Sequence, residues 1–591
     1  MINESGFHRL LGWLPLLSSL KNYGSDVFAR DLIAGTITAI LLVPQGIAYA
    51  LLAGMPPQAG LYASILPPLI YALIGTSRVM AVGPVSVAAI MVASALSAPE
   101  IQGQGNYLSN ALVLALESGL ILLTMASLRM GTLVNFISHP VLTGFTGGAA
   151  ILIIGSQVPA LLGLPKFACA NSPDFVRCAF RYLGESNLVS AALGFACLIL
   201  LLLFNGPVPA WLIRIKLSPA WVTAITKTGP LLVVILATLT VSGFALDQDY
   251  RVLTVGKVPS GLPQIDFRFL GADTWVLLLP SALFISLVAY VESVAIAKYV
   301  ANLRRQRIDP NRELIALGLA NILASVSSSM PVAGGFSRTM VNFAAGAQTQ
   351  IASIITAALL AFSVMFFTPW FALIPKTTLA AIILLAIAPL IKFKAMAHIL
   401  LLDRNDGIAA FATLSGVLLL GIEAGLSLGI VLTLLGYLWR TSRPHIAVVG
   451  RVPYTEHFRN VLRHAVETWP HLLLIRVDEN LTFANSAFVE DFITAELVRR
   501  PKVRHIVLIA TAISYVDTTA REMLENLSAS LRASGITLHL SEVKGPVMDE
   551  LERGLLLQQI RPGRVFFRTS EAIEALAEQR PHKKPGPEFT D

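Results

Sequence analysis

From residue 32 to 438 the chain is a succession of apolar runs broken by short polar stretches. At about 20 residues per bilayer crossing, allowing some shorter broken spans, the runs make about 14 crossings. The expected starts lie near Ala34, Leu61, Gly83, Ala111, Val141, Val189, Gly229, Val276, Leu314, Gly335, Ile351, Thr378, Asp406 and Glu423. Past Arg440 the pattern changes to short strands alternating with amphipathic helices. Strands are expected at 472–477, 505–509 and 536–540, with helices at 485–499 and 518–533, the last ended by Gly535. The expectation is an α-helical polytopic membrane protein followed by a small α/β domain.

Two interruptions stand out in the apolar region. One is Ala81-Val82-Gly83-Pro84-Val85-Ser86-Val87. The other is Met330-Pro331-Val332-Ala333-Gly334-Gly335-Phe336-Ser337-Arg338-Thr339. They lie roughly 250 residues apart, in corresponding places of two halves, as expected of inverted repeats whose half-helices meet near the bilayer midplane. The first half-helix is expected to open at Gly83-Pro84, with free N–H groups at Val85, Ser86 and Val87. The second is expected to open at Gly335, with free N–H groups on Phe336, Ser337 and Arg338.

Composition supports the membrane reading. The 591 residues are 55% hydrophobic and 14% charged, against about 25% charged in an ordinary soluble domain. The mean hydropathy is +0.69. The formal net charge of +8 reads first as orientation signal, not nucleic-acid binding. With the N-terminus inside, the cytoplasmic loops hold Arg78, Arg129, Arg214, Lys216, Lys227, Arg304, Arg305, Arg307, Arg312, Lys392, Lys394, Arg404, Arg440 and Arg443. Basic residues on the opposite side are mixed with Asp and Glu, so both termini are expected in the cytoplasm. Residues 1–30 carry Arg9, Lys21 and Arg30 and do not read as a cleavable signal, and 7–20 reads as an amphipathic surface segment. Cys169 and Cys178 share one outer loop, as a disulfide or as two thiols. No CxxC pair points to a metal.

Candidate chemistry sits inside the spans. Arg338 at bilayer depth costs a few kcal/mol on insertion scales, and something must offset that. Two helix N-termini carry roughly half a charge each and, with Arg338, make roughly two positive charges, suited to a small anion. The alternative is a packing kink with Arg338 reaching an interface. Glu292, in Val291-Glu292-Ser293, is a lone carboxylate: burial disfavours its charge and a nearby Arg338 favours it. An arriving anion that competes for Arg338 would favour protonation, a route to proton–anion symport. The alternative is a permanent Glu292–Arg338 ion pair. Glu117 either faces the same cavity or bonds neighbouring helices. Gln45, after Pro44, can donate to an anion, and Tyr49 one turn along serves as ligand or packing. HExxH, GxSxG and Walker patterns are missing, so transport by gradients is expected, without enzymatic activity or cofactor.

Four blocks resemble the sulfate permease (SulP) family: Pro44-Gln45-Gly46-Ile47-Ala48-Tyr49-Ala50; Pro57-Gln58-Ala59-Gly60-Leu61-Tyr62-Ala63-Ser64, continuing to Gly75-Thr76-Ser77-Arg78 and Gly83-Pro84; Gly334-Gly335-Phe336-Ser337-Arg338-Thr339; and Val543-Lys544-Gly545-Pro546-Val547 with Leu551-Glu552-Arg553. The last is similar to the family's STAS domain. The resemblance implies fourteen transmembrane segments in two inverted repeats of seven, a core moving against a gate, and a homodimer. It implies an inner-membrane transporter of inorganic anions, with Gln45, Tyr49, Val85, Ser86, Gly335, Phe336, Ser337 and Arg338 at the substrate. Glu292 beside Ser337-Arg338 looks like the proton-coupled sulfate members. An exchanger, or a bicarbonate or dicarboxylate carrier, is the alternative on the same fold, and a membrane-anchored sensor is a third reading. The implied domains are an N-terminal cytoplasmic segment 1–30, a transport domain 31–440, a cytoplasmic STAS domain 445–578 open to a regulatory protein, and a disordered tail 579–591. Asp517-Thr518 sits where related soluble regulators carry a phosphorylated serine, and Asp517 can instead cap the helix.

Overall fold

The computed structural model describes residues 14–20, 23–135, 138–164, 186–216, 219–554, 556–577 and 582–584. Cys169 and Cys178 lie outside them, as do residues 7–13 of the expected surface segment. The chain divides into two compact units, Met1–Thr433 and Leu434–Asp591.

The first unit is helical. In chain order its principal elements are α1 (Pro15–Leu20), α2 (Ser25–Leu52), α3 (Pro57–Tyr62), α4 (Leu66–Ile74), β1 (Val82–Gly83), α5 (Ser86–Leu96), α6 (Tyr107–Ser127), α7 (His139–Leu161), α8 (Leu188–Asn205) and α9 (Pro219–Gly243). They continue with α10 (Trp275–Leu303), α11 (Pro310–Val326), β2 (Ala333–Gly334), α12 (Phe336–Ala344), α13 (Ile351–Phe366), α14 (Lys376–Ile387), α15 (Arg404–Leu420) and α16 (Ile422–Ser442), whose residues from Leu434 on count with the second unit. Among the described residues eight helices are long and apolar enough to cross a membrane, counting α3 with α4 and α14 with the helix after it. Each start expected from the sequence falls in or beside one of these elements. The first spanning helix begins at Ser25, inside the segment assigned to the N-terminus, with Asp26 placed in its first turn where the helix dipole favours an acid.

Small residues let the helices meet backbone to backbone, which is how helices associate in lipid. A Cβ on Gly119 of α6 would lie 2.7 Å from the Gly318 carbonyl of α11. Two fully buried carboxylates pin the loops that flank the half-helices. Glu313 on α11 accepts from the Thr76 N–H at 2.8 Å, the Thr76 hydroxyl at 2.6 Å and the Tyr71 hydroxyl at 2.8 Å. Asp31 on α2 accepts from the Gln348 N–H at 2.6 Å and the Thr349 hydroxyl at 2.6 Å. Polar backbone in an apolar surrounding must be satisfied internally, and these carboxylates do it from opposite halves of the sequence.

The second unit is an α/β domain around an eight-stranded sheet. Its elements are β3 (Ile446–Arg451), β4 (Phe458–Asn460), β5 (Val466–Thr468), β6 (Leu472–Val477), α17 (Ser486–Arg499), β7 (His505–Ile509), α18 (Thr518–Ala533), β8 (Thr537–Ser541), α19 (Gly545–Glu552), β9 (Val565–Phe566), α20 (Thr569–Leu576) and β10 (His582–Lys584). The order is β10-β5-β3-β6-β7-β8-β9, with β4 on β3. The expected strands at β6, β7 and β8 are the parallel centre; β6 and β7 carry the apolar runs, and β8 alternates Leu538 and Leu540 with His539 and Ser541, all buried. The edge strands escape the pattern because they are short and polar. β10 lies within the stretch read as a disordered tail, yet pairs antiparallel with β5; residues 579–581 and 585–591 lie outside the described residues. The Asp517 carboxylate caps α18 through the Ala520 N–H at 2.8 Å and also accepts the Phe483 N–H at 2.7 Å.

Candidate functional site

β1 and β2 run antiparallel, with Val82 opposite Gly334 and Gly83 opposite Ala333. The Gly335 N–H extends the ladder to the Ala81 carbonyl at 3.1 Å. Each strand leads straight into a half-helix, so α5 and α12 begin side by side. Gly335 is the N-cap of α12, in an extended conformation. The first helical bond runs from the Thr339 N–H to its carbonyl at 2.9 Å, which leaves the N–H groups of Phe336, Ser337 and Arg338 ahead of the helical ladder. At the other start, Val85 is the N-cap and the Ala89 N–H closes the first bond at 3.0 Å. The leading N–H groups there are those of Ser86, Val87 and Ala88.

That corrects the sequence reading: the helix starts two residues later, at Ser86, and the leading N–H groups shift by one. Pro84 stands before the N-cap and not at the first helical position, because β1 holds Val82 and Gly83 extended, with Gly83 at φ +157°. Val85 therefore contributes no helix-start N–H, and its side chain packs on Ala88, Ala289 and Ala333.

Arg338 is 2% exposed. Its Nη1 donates to the Pro84 carbonyl, the last turn before the opposite half-helix. Its Nε and Nη2 are buried and have no hydrogen-bond partner among the described residues. Gly335 is glycine for this side chain: a Cβ there would lie 2.7 Å from Nη2. A guanidinium with two unpaired donors in a buried place carries a large uncompensated cost of desolvation, which an anion there would offset.

Around it the structure gathers Tyr49, Ser86 and Glu292. The Tyr49 hydroxyl is within hydrogen-bonding reach of Ser86, and the charges of Arg338 and Glu292 act on it. Glu292, on α10, is partly buried and acts on Arg338 through space, yet the two form no ion pair within 4 Å. The permanent ion pair weighed from the sequence is thus not formed. Gln45 is buried one helical turn before Tyr49 on α2. Phe336 and Ser337 are exposed, at 51% for Phe336, whose ring faces Tyr299 at 6.2 Å between centroids. What these two residues bring to the start of α12 is their backbone N–H groups. Glu117 is 5% exposed with Oε2 unpartnered, but it is not among the groups that act on Tyr49, Glu292 or Arg338.

A set of polar side chains missed in the sequence holds the crossing in place. The Ser293 hydroxyl accepts the Gly334 N–H at 2.7 Å. Asn321 brackets Val332, accepting its N–H at 2.9 Å and donating to its carbonyl at 3.0 Å. Thr339 accepts the Ala81 N–H at 3.1 Å. Asn342 donates to Val79 at 2.9 Å, and Gln350 to Ser77 and Met80 at 2.6 and 3.0 Å. The readable signal was a neutral polar residue inside an apolar helix, as Asn321 is.

Residues 28–413 match the sulfate permease family and residues 464–573 the STAS domain. The chain belongs to the sulfate permease family. It is 32% identical over 558 residues to "Probable sulfate transporter 4.2" of Arabidopsis thaliana, covering 93% of this chain and 81% of that one. It is 30% identical to "High affinity sulfate transporter 2" of Stylosanthes hamata, covering 95% and 85%. Its fold is like that of murine Slc26a9, an anion transporter solved in the inward-facing state, with TM-score 0.86, 21% identity and coverage of 96% and 94%. The transmembrane domain of the cyanobacterial bicarbonate transporter BicA matches with TM-score 0.58 and 19% identity over 69% of this permease and 98% of BicA. The permease is thus a multi-pass membrane protein with a C-terminal STAS domain.

Proposed function

We propose that this permease carries inorganic anions across the membrane by alternating access, with sulfate as substrate and protons as the coupled ion. The observation that carries the reading is the Arg338 guanidinium, buried between two helix N-termini with Nε and Nη2 unpartnered. Sulfate fits that donor set because two dipole ends and one guanidinium sum to roughly two positive charges. The names of the plant relatives support sulfate. The substrate is held by Gln45, Tyr49, Ser86, the α12 start at Gly335, Phe336 and Ser337, and Arg338. Glu292 takes the proton: sulfate that engages Arg338 withdraws the positive charge that favoured the carboxylate, so anion and proton enter together. Both termini are cytoplasmic and the permease works in the inner membrane, as the basic loops support, as a homodimer of fourteen-span subunits with a transport domain at 31–440. The STAS domain, 445–578, offers a surface to a regulatory protein.

Purified permease in liposomes tests this with labelled sulfate. Uptake is expected to rise as the outside is acidified, and Glu292→Gln is expected to transport at a rate that no longer depends on the pH gradient. Unchanged pH dependence in Glu292→Gln removes Glu292 from coupling. Stronger competition by chloride, bicarbonate or succinate than by unlabelled sulfate moves the substrate to the exchanger or dicarboxylate class.

A further inference from the structure

Away from the anion site, a second cationic cavity of about 340 Å³ opens between α1, the loop after α4 and the turn between α10 and α11. Arg78, Arg307 and Arg312 line it, with Gln306 beside them. Arg312 leans on Asp309 at 3.7 Å. Arg78 and Arg307 are exposed and have no carboxylate or hydrogen-bond partner among the described residues. The nearby backbone donors are already committed: the Thr76 and Ser77 N–H groups serve Glu313, and the Arg312 N–H serves Asp309. What remains free in the cavity is guanidinium. Of the nearby carboxylates, Asp309 is taken by Arg312, and Glu313 by Tyr71, Thr76 and Ser77.

The surroundings set the level of this cavity. Leu73 and Leu303, each just before one of the arginine loops, are exposed, as are Leu32 and Ile33 on α2. Exposed leucines on spanning helices face hydrocarbon, and Leu73 and Leu303 lie at or next to the last residue of their helices. α1 buries Leu16 in the cavity wall and leaves Leu17 and Leu20 exposed, the pattern of a segment lying in an interface. A cavity of that size, lined by unpaired arginines where apolar surface gives way to polar loops, matches a phosphodiester on a diacyl tail more closely than a soluble ion.

We propose that this cavity binds the phosphate of an anionic lipid headgroup, with Arg78 and Arg307 as its ligands and the acyl chains on the adjoining apolar surface. The bound lipid bridges α1, the α4–β1 loop, which leads to the first half-helix, and the α10–α11 turn. The site is independent of what the permease transports, and its test involves no transport.

The full chain, extracted from vesicles of equal parts phosphatidylcholine and phosphatidylglycerol, is weighed intact by native mass spectrometry. Retained phosphatidylglycerol is expected to exceed phosphatidylcholine about tenfold or more. Arg78→Ala/Arg307→Ala should fall to the phosphatidylcholine level. Arg307→Gln, which removes no hydrogen bond of the fold, should lose part of the excess, and so keeps the test alive if the double variant misfolds. Arg305→Ala removes the same charge from the same turn outside the cavity and should retain lipid as the unaltered chain does. Equal retention in Arg307→Gln and the unaltered chain overturns the site, as does an Arg305→Ala loss as large. Inorganic phosphate that displaces the lipid at millimolar level and protects the chain equally in phosphatidylcholine alone overturns the lipid assignment.

Discussion

The two half-helix starts have nearly the same backbone and opposite chemistry. Each follows a two-residue strand, each has an extended N-cap without a side-chain cap, and each leaves its leading N–H groups free. Yet α5 begins with Ser86 and carries no charge, whereas α12 carries Arg338, which reaches over to the carbonyl of Pro84. Even the glycines serve different ends. Gly83 supplies φ +157°, and a Cβ there would meet Arg338 Nη2 only at an ordinary 3.5 Å. Gly335 has an unremarkable φ of −90°, and its missing Cβ is space for the guanidinium. The lesson is that the symmetric frame supplies dipoles on both sides, while the full charge comes from one. Anion recognition should therefore be lopsided: large losses from changes around Arg338, small ones from changes at the α5 start.

The largest expected effect comes from removing the charge. Arg338→Ala deletes the charge and the two unpartnered donors and should weaken sulfate binding by about 10²-fold or more. Arg338→Lys should not restore it, because a single ammonium does not reproduce the fork that spans Pro84 and the site. Binding by isothermal calorimetry on purified permease reads both. Retained affinity in Arg338→Ala would place the anion elsewhere.

The glycine pair separates the two starts at intermediate size. Gly335→Ala drives a Cβ into the guanidinium and should cost about tenfold in affinity with little change in melting temperature. Gly83→Ala should do the reverse: affinity nearly kept, but stability lowered by about 1–3 kcal/mol through the backbone. Thermal unfolding beside calorimetry on the same two variants checks the pair, and matching profiles would dissolve the distinction.

The sequence showed this asymmetry because breakers and charge are conspicuous against apolar helix. Proline, paired glycines and Arg338 stand out among residues that otherwise avoid them, so both interruptions could be read at residue level. Helix positions were readable for the same reason: lipid forces long apolar runs. The register at α5 was not readable, since the pairing of Val82 with Gly334 joins residues about 250 apart and moves the helix start from Pro84 to Ser86. The bonds of Asn321, Asn342 and Gln350 were hidden likewise, for a lone amide in a helix does not announce its distant partner. In the STAS domain the buried strands β6, β7 and β8 carried a clear apolar signal, while β10 read as tail because His582 and Lys583 look like solvent-loving sequence until an edge strand accepts them.

The smallest expected effect lies at the uncharged start. Ser86→Ala removes a neutral hydroxyl from the first turn of α5 but keeps all three leading N–H groups and the dipole, because neither depends on the side chain. A neutral hydrogen bond is worth about 0.5–1.5 kcal/mol net, so affinity should fall about two- to tenfold. Tyr49, which lies by that hydroxyl, should soften the loss by turning to the anion or to water. Sulfate titration of Ser86→Ala against Arg338→Ala measures the ratio of the two starts directly. If Ser86→Ala falls as far as Arg338→Ala, the hydroxyl is holding the anion as firmly as the guanidinium does, and the charge at α12 no longer explains why the site binds.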